Sequence, residues 1–229
     1  MATREQHDAA MRAAMHDVAD SLVGQPDLHA TLAAVTAAAV DLIDGIDFAD
    51  ILIITGDDFE SLSPTVPVLA ELDQLQKQFG EGPCLDAAAG DSIVRCADLS
   101  GDDRWPRFAK GAVGHGINSM LSYQLYTHDN GAGALNLFGR DTHRFDENSE
   151  SIGAMLATQA AMAIIAGERQ TQFQSALAGR DLIGQAKGII MERFKVDAVS
   201  AFEMLRKLSQ DGNEKLSRIA ARVVDTTVD

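Results

Sequence analysis

The side chains able to do chemistry in this 229-residue chain fall into two groups of different kind. From residue 180 onward stand Arg180, Lys187, Arg206, Lys207, Lys215, Arg218 and Arg222, with Ser209, Gln210 and Asn213 among them. Cations of this sort gather phosphates, while hydroxyl and amide groups between them hydrogen-bond to base edges, a combination suited to a nucleic acid. The plainer account is a set of solvated helix faces. It is the better one for Arg193 and Lys195, which stand near a helix end where they complement the dipole. Asn213 has a local alternative too, as a helix cap.

The second group is the thiols. Cys84 and Cys96 are too few for a disulfide framework and lack closely spaced zinc partners. Cys84 follows Gly82-Pro83, where an exposed thiol would respond to oxidants, whereas two buried small apolar side chains are the ordinary alternative. The six histidines, among them His115, His128 and His143, show no metal-ligand spacing. Asp57 and Asp58 follow an apolar run, as a phosphoacceptor would, but the strand–helix alternation of a receiver domain is missing. No catalytic residue, cofactor or metal is assigned.

Charge divides the chain in the same way. The net charge is −15, which argues at first against a polyanionic partner. Residues 1–170, however, hold 10 Lys/Arg against 26 Asp/Glu, and residues 171–229 hold 9 against 8. Such asymmetry permits one part to meet a polyanion while the other repels it. No run reaches the roughly 18 apolar residues needed to span a bilayer, and the first residues lack a signal peptide's apolar centre. A cytoplasmic location without membrane attachment is the expectation.

These residues need elements to position them. Met11, Met15, Val18 and Leu22 predict a helix over Ala9–Val23, and Leu32, Val35, Ala39 and Ile43 predict a second from about Leu28. The isoleucine-rich run Phe48–Thr55 reads as a strand, Asp57-Asp58 as a turn, and Leu62–Val68 as a further strand. Gln74–Phe79 and Cys84–Ala89 predict short helices, Ser92–Cys96 a strand, and Trp105–Val113 another helix in which Trp105 anchors packing. Ser119–Tyr126 and Ala134–Phe138 flank Asp129-Asn130-Gly131, a strong hairpin signal.

After Phe145 the pattern is helical throughout. Asp146 and Asn148 offer N-caps to a long helix bearing Ile152, Leu156, Ala163, Ala166, Phe173 and Leu177, which either joins a coiled coil or lies on its own sheet. Three short amphipathic segments follow: Leu182, Ala186, Ile190 and Phe194; Ala201, Phe202, Leu205 and Leu208 behind an Asp197 cap; and Leu216, Ile219, Ala220 and Val223 after Gly212. Gly179, Gly184 and Gly188 weaken the junction and suggest a hinge.

The blocks Gln185-Ala-Lys-Gly188, Ala201-Phe-Glu-Met-Leu-Arg-Lys-Leu-Ser-Gln210, Asn213 and Lys215, in this order, resemble the ANTAR domain. The resemblance implies a three-helix RNA-binding module, here residues 175–229. The RNA-binding residues it implies are Arg180, Gln185, Lys187, Arg206, Lys207, Ser209, Gln210, Asn213, Lys215 and Arg218. It also implies a homodimer gripping paired hexanucleotide-loop stem-loops in nascent RNA, so that a terminator cannot form. Residues Gly80–Ala87, Asp103–Phe108 and Gly133–Leu137 resemble GAF sensory domains. That implies an α+β domain over 1–165 with N-terminal helices, an antiparallel sheet flanked by helices, and a small-molecule ligand of unknown identity. A connecting helix over 146–180 would join the two. Phe145-Asp146-Glu147 lacks the preceding Asn-Lys pair of the cyclic-nucleotide-binding members. The rival reading is a ligand- or redox-responsive GAF enzyme, like the thiol-based methionine sulfoxide reductases, with a helical tail that only dimerises.

Overall fold

A computed structural model describes residues 27–128, 131–143 and 145–226. The helix expected over Ala9–Val23 and the hairpin residues Asp129 and Asn130 lie outside the described residues. Contacts divide the chain into two units, one ending at Gly167 and the other beginning at Glu168.

The first unit opens with α1 (Leu28–Leu42), capped by Asp27, whose carboxylate accepts from the His29 N–H at 3.0 Å. Leu32, Val35, Ala39 and Leu42 recur every three or four residues and form its buried face. Then come β1 (Phe48–Thr55), β2 (Asp58–Leu62), α2 (Val68–Phe79), α3 (Pro83–Ala89), β3 (Ile93–Cys96), a 3₁₀ turn, α4 (Pro106–Gly114), β4 (Ser119–His128) and β5 (Gly131–Gly139). The five strands form one antiparallel sheet in the order β2-β1-β5-β4-β3.

The sheet buries both faces, and the period of two along each strand sorts the residues between them. Ala49, Ile51, Leu121, Tyr123, Leu135 and Leu137 face α1 and the first turns of the long α5 (Glu147–Phe194), where Ile152, Leu156, Ala160 and Ala163 are buried. Leu52, Met120, Ala134 and Phe138 face α2, α3 and α4, together with Leu69, Leu72, Trp105 and Phe108. Trp105 is an anchor, as expected, and its indole N–H donates to Asp86 at 2.9 Å.

Asp146 starts α5 by accepting from the Ser149 N–H at 2.8 Å. Close docking then depends on Gly153, where a Cβ would stand 2.5 Å from Cζ of the Tyr123 ring. Of the two expectations for this helix, the sheet claims Ile152, Leu156 and Ala163, while Phe173 and Leu177 remain 61% and 46% exposed. Alpha-5 is also the one helix among the described residues long and apolar enough to cross a bilayer, by length and composition only.

Two boundaries differ most from expectation. The second strand is Asp58–Leu62, not Leu62–Val68, because Gly56 (φ 58°) and Asp57 close a two-residue turn that pairs Thr55 with Asp58. Alpha-2 begins at Val68, six residues before Gln74, because Leu69, Leu72 and Gln76 continue one buried face past Pro67.

Candidate functional site

In the second unit the last turns of α5 pack with α6 (Ala198–Asp211) and α7 (Leu216–Asp225) around Ala186, Ile190, Ala201, Leu205, Ile219 and Ala220. Asp197 caps α6 by accepting from the Ser200 N–H at 2.8 Å. Phe194, Phe202 and Leu208 do not enter this core as expected. They are 56%, 38% and 52% exposed, because the small Ala186 and Ala201 bring the helices together and leave those rings and branches on the rim. Asn213 is not a helix cap: it lies in the turn with φ +48°, and Lys215 occupies the capping position of α7 with no side-chain cap bond.

The residues expected to meet RNA lie mainly on the outside. Arg180, Gln185, Arg206, Lys207, Gln210, Asn213, Lys215 and Arg218 are exposed, and Lys187 and Ser209 are half-buried. Carboxylates hold several of the cations. Arg206 grips Glu203 at 2.7 Å, Arg222 lies 3.0 Å from Glu214, and Arg218 stands 4.0 Å from the same residue. Among the described residues, Arg180, Lys187, Lys207 and Lys215 have no ion-pair partner. Ser209 is engaged locally: its hydroxyl donates to the Glu214 carbonyl at 2.5 Å, while the Glu214 N–H donates back to the Ser209 carbonyl at 3.0 Å. That double clasp fixes the turn bearing Asn213. Gly179, beside Arg180, faces α7, where a Cβ would stand 3.5 Å from Ser217, an ordinary contact. Packing therefore leaves room for a Cβ at Gly179, as it does at Gly184 and Gly188, and α5 runs unbroken through all three.

The first unit holds a different collection. Asp50 on β1, Asp73 and Gln76 on α2, Ser122 on β4 and Asn136 on β5 are all buried polar residues on the α2–α3 face of the sheet. The Asn136 side-chain N–H donates to Asp50 Oδ1 at 2.9 Å. Four other oxygens are buried without a hydrogen bond of normal geometry among the described residues, namely Asp50 Oδ2, both Asp73 carboxylate oxygens and Asn136 Oδ1, and the Ser61 hydroxyl, buried and unmatched in the same way, stands beside Asp73. Burial raises Asp50 well above the usual carboxylate range, and Asp73's charge adds to it while the Asn136 bond opposes it. Burial likewise pushes Asp73 up to about 7, against the Ser61 hydroxyl beside it.

Cys84 borders this collection. It is not the exposed thiol that its place beside Gly82-Pro83 suggested, but fully buried at the start of α3. Gln76 clasps it, donating from Nε2 to the sulfur at 2.7 Å and accepting from the Cys84 N–H at 3.0 Å. Burial, then the Asp73 and Asp50 charges, drive its pKa far up. Cys96 is buried as well and is pushed up to about 12, first by burial and then by the Asp102 carboxylate that accepts from it at 3.3 Å. Neither thiol is poised for nucleophilic work.

The buried acids were missed in the sequence, although two signs mark them. An aspartate interrupts the apolar strand Phe48–Thr55, and an asparagine interrupts Gly133-Ala-Leu-Asn-Leu137, both at positions that face inward by the strand period. A separate open depression of about 490 Å³ lies beside Arg95, Asp98, Arg104 and His143. Its two arginines are already paired, Arg104 with Asp102 at 2.6 Å and Arg95 with Glu150 at 2.6 Å.

The GAF domain model matches residues 25–165, and the ANTAR domain model matches residues 171–224. Among solved structures, a GAF domain of a phosphoenolpyruvate-protein phosphotransferase from Coxiella burnetii is 15% identical with a TM-score of 0.56, covering 75% of this chain and 99% of its own. The free methionine-R-sulfoxide reductase of Neisseria meningitidis is 17% identical with a TM-score of 0.55, covering 74% and 96%. An N-acylhomoserine-lactone-dependent LuxR-family transcription factor from Burkholderia cenocepacia is 21% identical with a TM-score of 0.54, covering 69% and 94%. At these identities the likeness is one of fold. No curated protein matches the chain.

Proposed function

Because this chain belongs to the GAF family and carries an ANTAR domain over residues 171–224, we propose that it is a ligand-responsive antiterminator that grips paired hexaloop stem-loops in nascent RNA. An ANTAR domain is an RNA-binding antitermination domain and a GAF domain a sensor, so the chain is of the regulator kind rather than an enzyme. The carrying observation is the set of uncommitted cations Arg180, Lys187, Lys207 and Lys215 on a bundle whose core needs none of them. Lysine and arginine released from internal pairing neutralise phosphates, and Gln185, Gln210 and Asn213 beside them supply hydrogen bonds to unstacked loop bases. Arg206 and Arg218 join when RNA phosphates outcompete Glu203 and Glu214, since exposed ion pairs are weak. Ser209 contributes by holding the Asn213 turn.

Two copies act together in this reading. The exposed Phe173 and Leu177 stand one helical turn apart on α5 and supply the apolar seam of a homodimer, which would present two bundles to two stem-loops. The domain scheme is a sensory region over 1–165, a connecting helix over 146–180 and an RNA module over 175–229. Alpha-5, which is shared by the sheet's core and the bundle's core, would carry the signal between them. The protein acts in the cytoplasm, where nascent transcripts are made. The buried, high-pKa thiols disfavour the reductase-like alternative.

A gel shift with tandem hexaloop stem-loop RNA tests the proposal. The tandem RNA is expected to shift strongly and in a salt-sensitive way, and a single stem-loop to shift weakly. Absence of any shift with the tandem RNA, or equal shifts for both RNAs, would count against it.

A further inference from the structure

The buried oxygens of Asp50, Asp73 and Asn136 are the feature that neither the fold nor the RNA module accounts for. A buried hydrogen-bonding atom without a partner costs on the order of 1–3 kcal/mol, and more when charged. Here four acceptors share one interior site, and among the described residues the donors near the two carboxylates are the Asn136 amide N–H on Asp50 and the Ser61 hydroxyl beside Asp73. The neighbouring Gln76 amide is turned away to Cys84 through both its oxygen and its nitrogen. Among the described residues no lysine, arginine or histidine is buried. The place lacks what a cation with several N–H bonds would bring.

We propose that this nest binds a small organic cation of the aliphatic ammonium or amidinium class as the ligand of the sensory domain. The inference rests on reading residues 25–165 as a ligand sensor and adds the chemistry of what it senses. An ammonium carries three donors and a charge, matching Asp50 Oδ2, the Asp73 carboxylate and Asn136 Oδ1. Leu52, Leu69, Leu72 and Phe138, buried on the same face, offer contact to the ligand's hydrocarbon part. A metal ion fits less well: among the described residues no three His, Cys, Asp or Glu side chains are grouped to hold one.

Helices α2 and α3 cover the nest. Alpha-2 contributes Asp73 and Gln76, α3 contributes Cys84, and only Gly80-Glu81-Gly82 joins them, with φ of +64° at Gly80 and +148° at Gly82. Glu81 pins that link to the first turn of α4, accepting from the Phe108 N–H at 3.0 Å and pairing with Arg107 at 3.3 Å. Without a cation the acids share the space by holding protons; with one, they ionise against it. Cys84 is the other titratable group facing them, while β2, β4 and β5 present the neutral Ser61, Ser122 and Asn136.

The test uses the full chain at pH 8, followed by thermal unfolding and calorimetric titration. Methylammonium, 1,4-diaminobutane and agmatine are compared with 1,4-butanediol and magnesium chloride. At least one amine is expected to raise the melting temperature by about 5 °C at saturation, with the diol and magnesium inactive. Asp50→Asn and Asp73→Asn, which keep the side-chain shape, are both expected to abolish that rise and the calorimetric heat. No shift with any amine, an equal shift with the diol or magnesium, or a shift that survives in both variants would overturn the proposal. The gel shift of the wild-type chain without amine reports separately on RNA binding. An RNA shift with no amine effect removes only this inference, and an amine effect with no RNA shift removes only the RNA reading.

Discussion

In residues 27–167 the polar side chains with chemical potential are sunk between sheet and helices, whereas in residues 168–226 they stand on the outside of a three-helix bundle. Asp50 and Asp73 are buried on the side of the sheet whose core includes Leu69 and Leu72, while Lys187 and Lys207 lie outside a core made of two isoleucines, a leucine and alanines. The same residue chemistry therefore serves opposite ends. A buried carboxylate has an altered affinity for protons and discriminates among small partners that can replace water's hydrogen bonds. A lysine at the surface attracts an extended polyanion at range. Small molecules suit the first unit and folded nucleic acid the second.

The most severe way to break this contrast is to collapse one core and watch the other. Leu205→Ala, in a bundle with six buried apolar side chains among the described residues, is expected to cost about 2–5 kcal/mol. Denaturant unfolding should then show the bundle melting early while near-ultraviolet signals from Trp105 and Tyr123 persist. Loss of both signals together would mean that the two units fold as one.

The next largest effect is pH dependence, and it belongs to the first unit. Asp73 has its folded pKa raised from 3.8 to about 7, and Asp50 is raised too, so the folded state prefers them protonated. Asp73's contribution is fully present below about pH 4 and is lost as pH rises through about 7, and Asp50's is lost in the same direction, the reverse of a salt-bridged carboxylate. Urea midpoints of the first unit should fall between pH 5 and 8, and Asp73→Asn should flatten that fall. An unchanged slope in the variant would contradict the assignment.

The smallest effects separate two neighbours on α6. Ser209→Ala removes the hydroxyl donated to Glu214 and should cost about 1 kcal/mol of bundle stability. Gln210→Ala should leave stability within about 0.5 kcal/mol and weaken RNA binding instead. If both variants behaved alike in urea and in RNA titration, the division between bracing and contacting residues would fail.

Legibility in the sequence followed the same divide. Asp197 and Asp146 are caps where their types and positions said so, and Ser119–Tyr126 and Ala134–Phe138 flank the hairpin marked by Asn130-Gly131. These features are set by residues close in the chain. Phe194, Phe202 and Leu208 obey helical spacing yet stay outside, because alanines at Ala186 and Ala201 decide how closely the helices approach. Cys84 was ambiguous because its burial depends on Gln76, eight residues away on another helix. Asp50 and Asn136 are 86 positions apart and meet only through the pairing of β1 with β5. The exposed cations could be read from spacing and composition, but not which of them Glu203 and Glu214 would occupy.

The central claim is that the unpaired lysines of the bundle grip RNA phosphates. It is tested most directly by the salt dependence of binding to tandem hexaloop RNA, comparing the full chain with the Lys187→Ala, Lys207→Ala, Lys215→Ala triple variant. Each lost phosphate contact should reduce the log–log salt slope by about one, so the triple variant should bind weakly and with a slope lower by about three. Wild-type binding with no salt dependence, or a triple variant with the wild-type slope and affinity, would contradict the account.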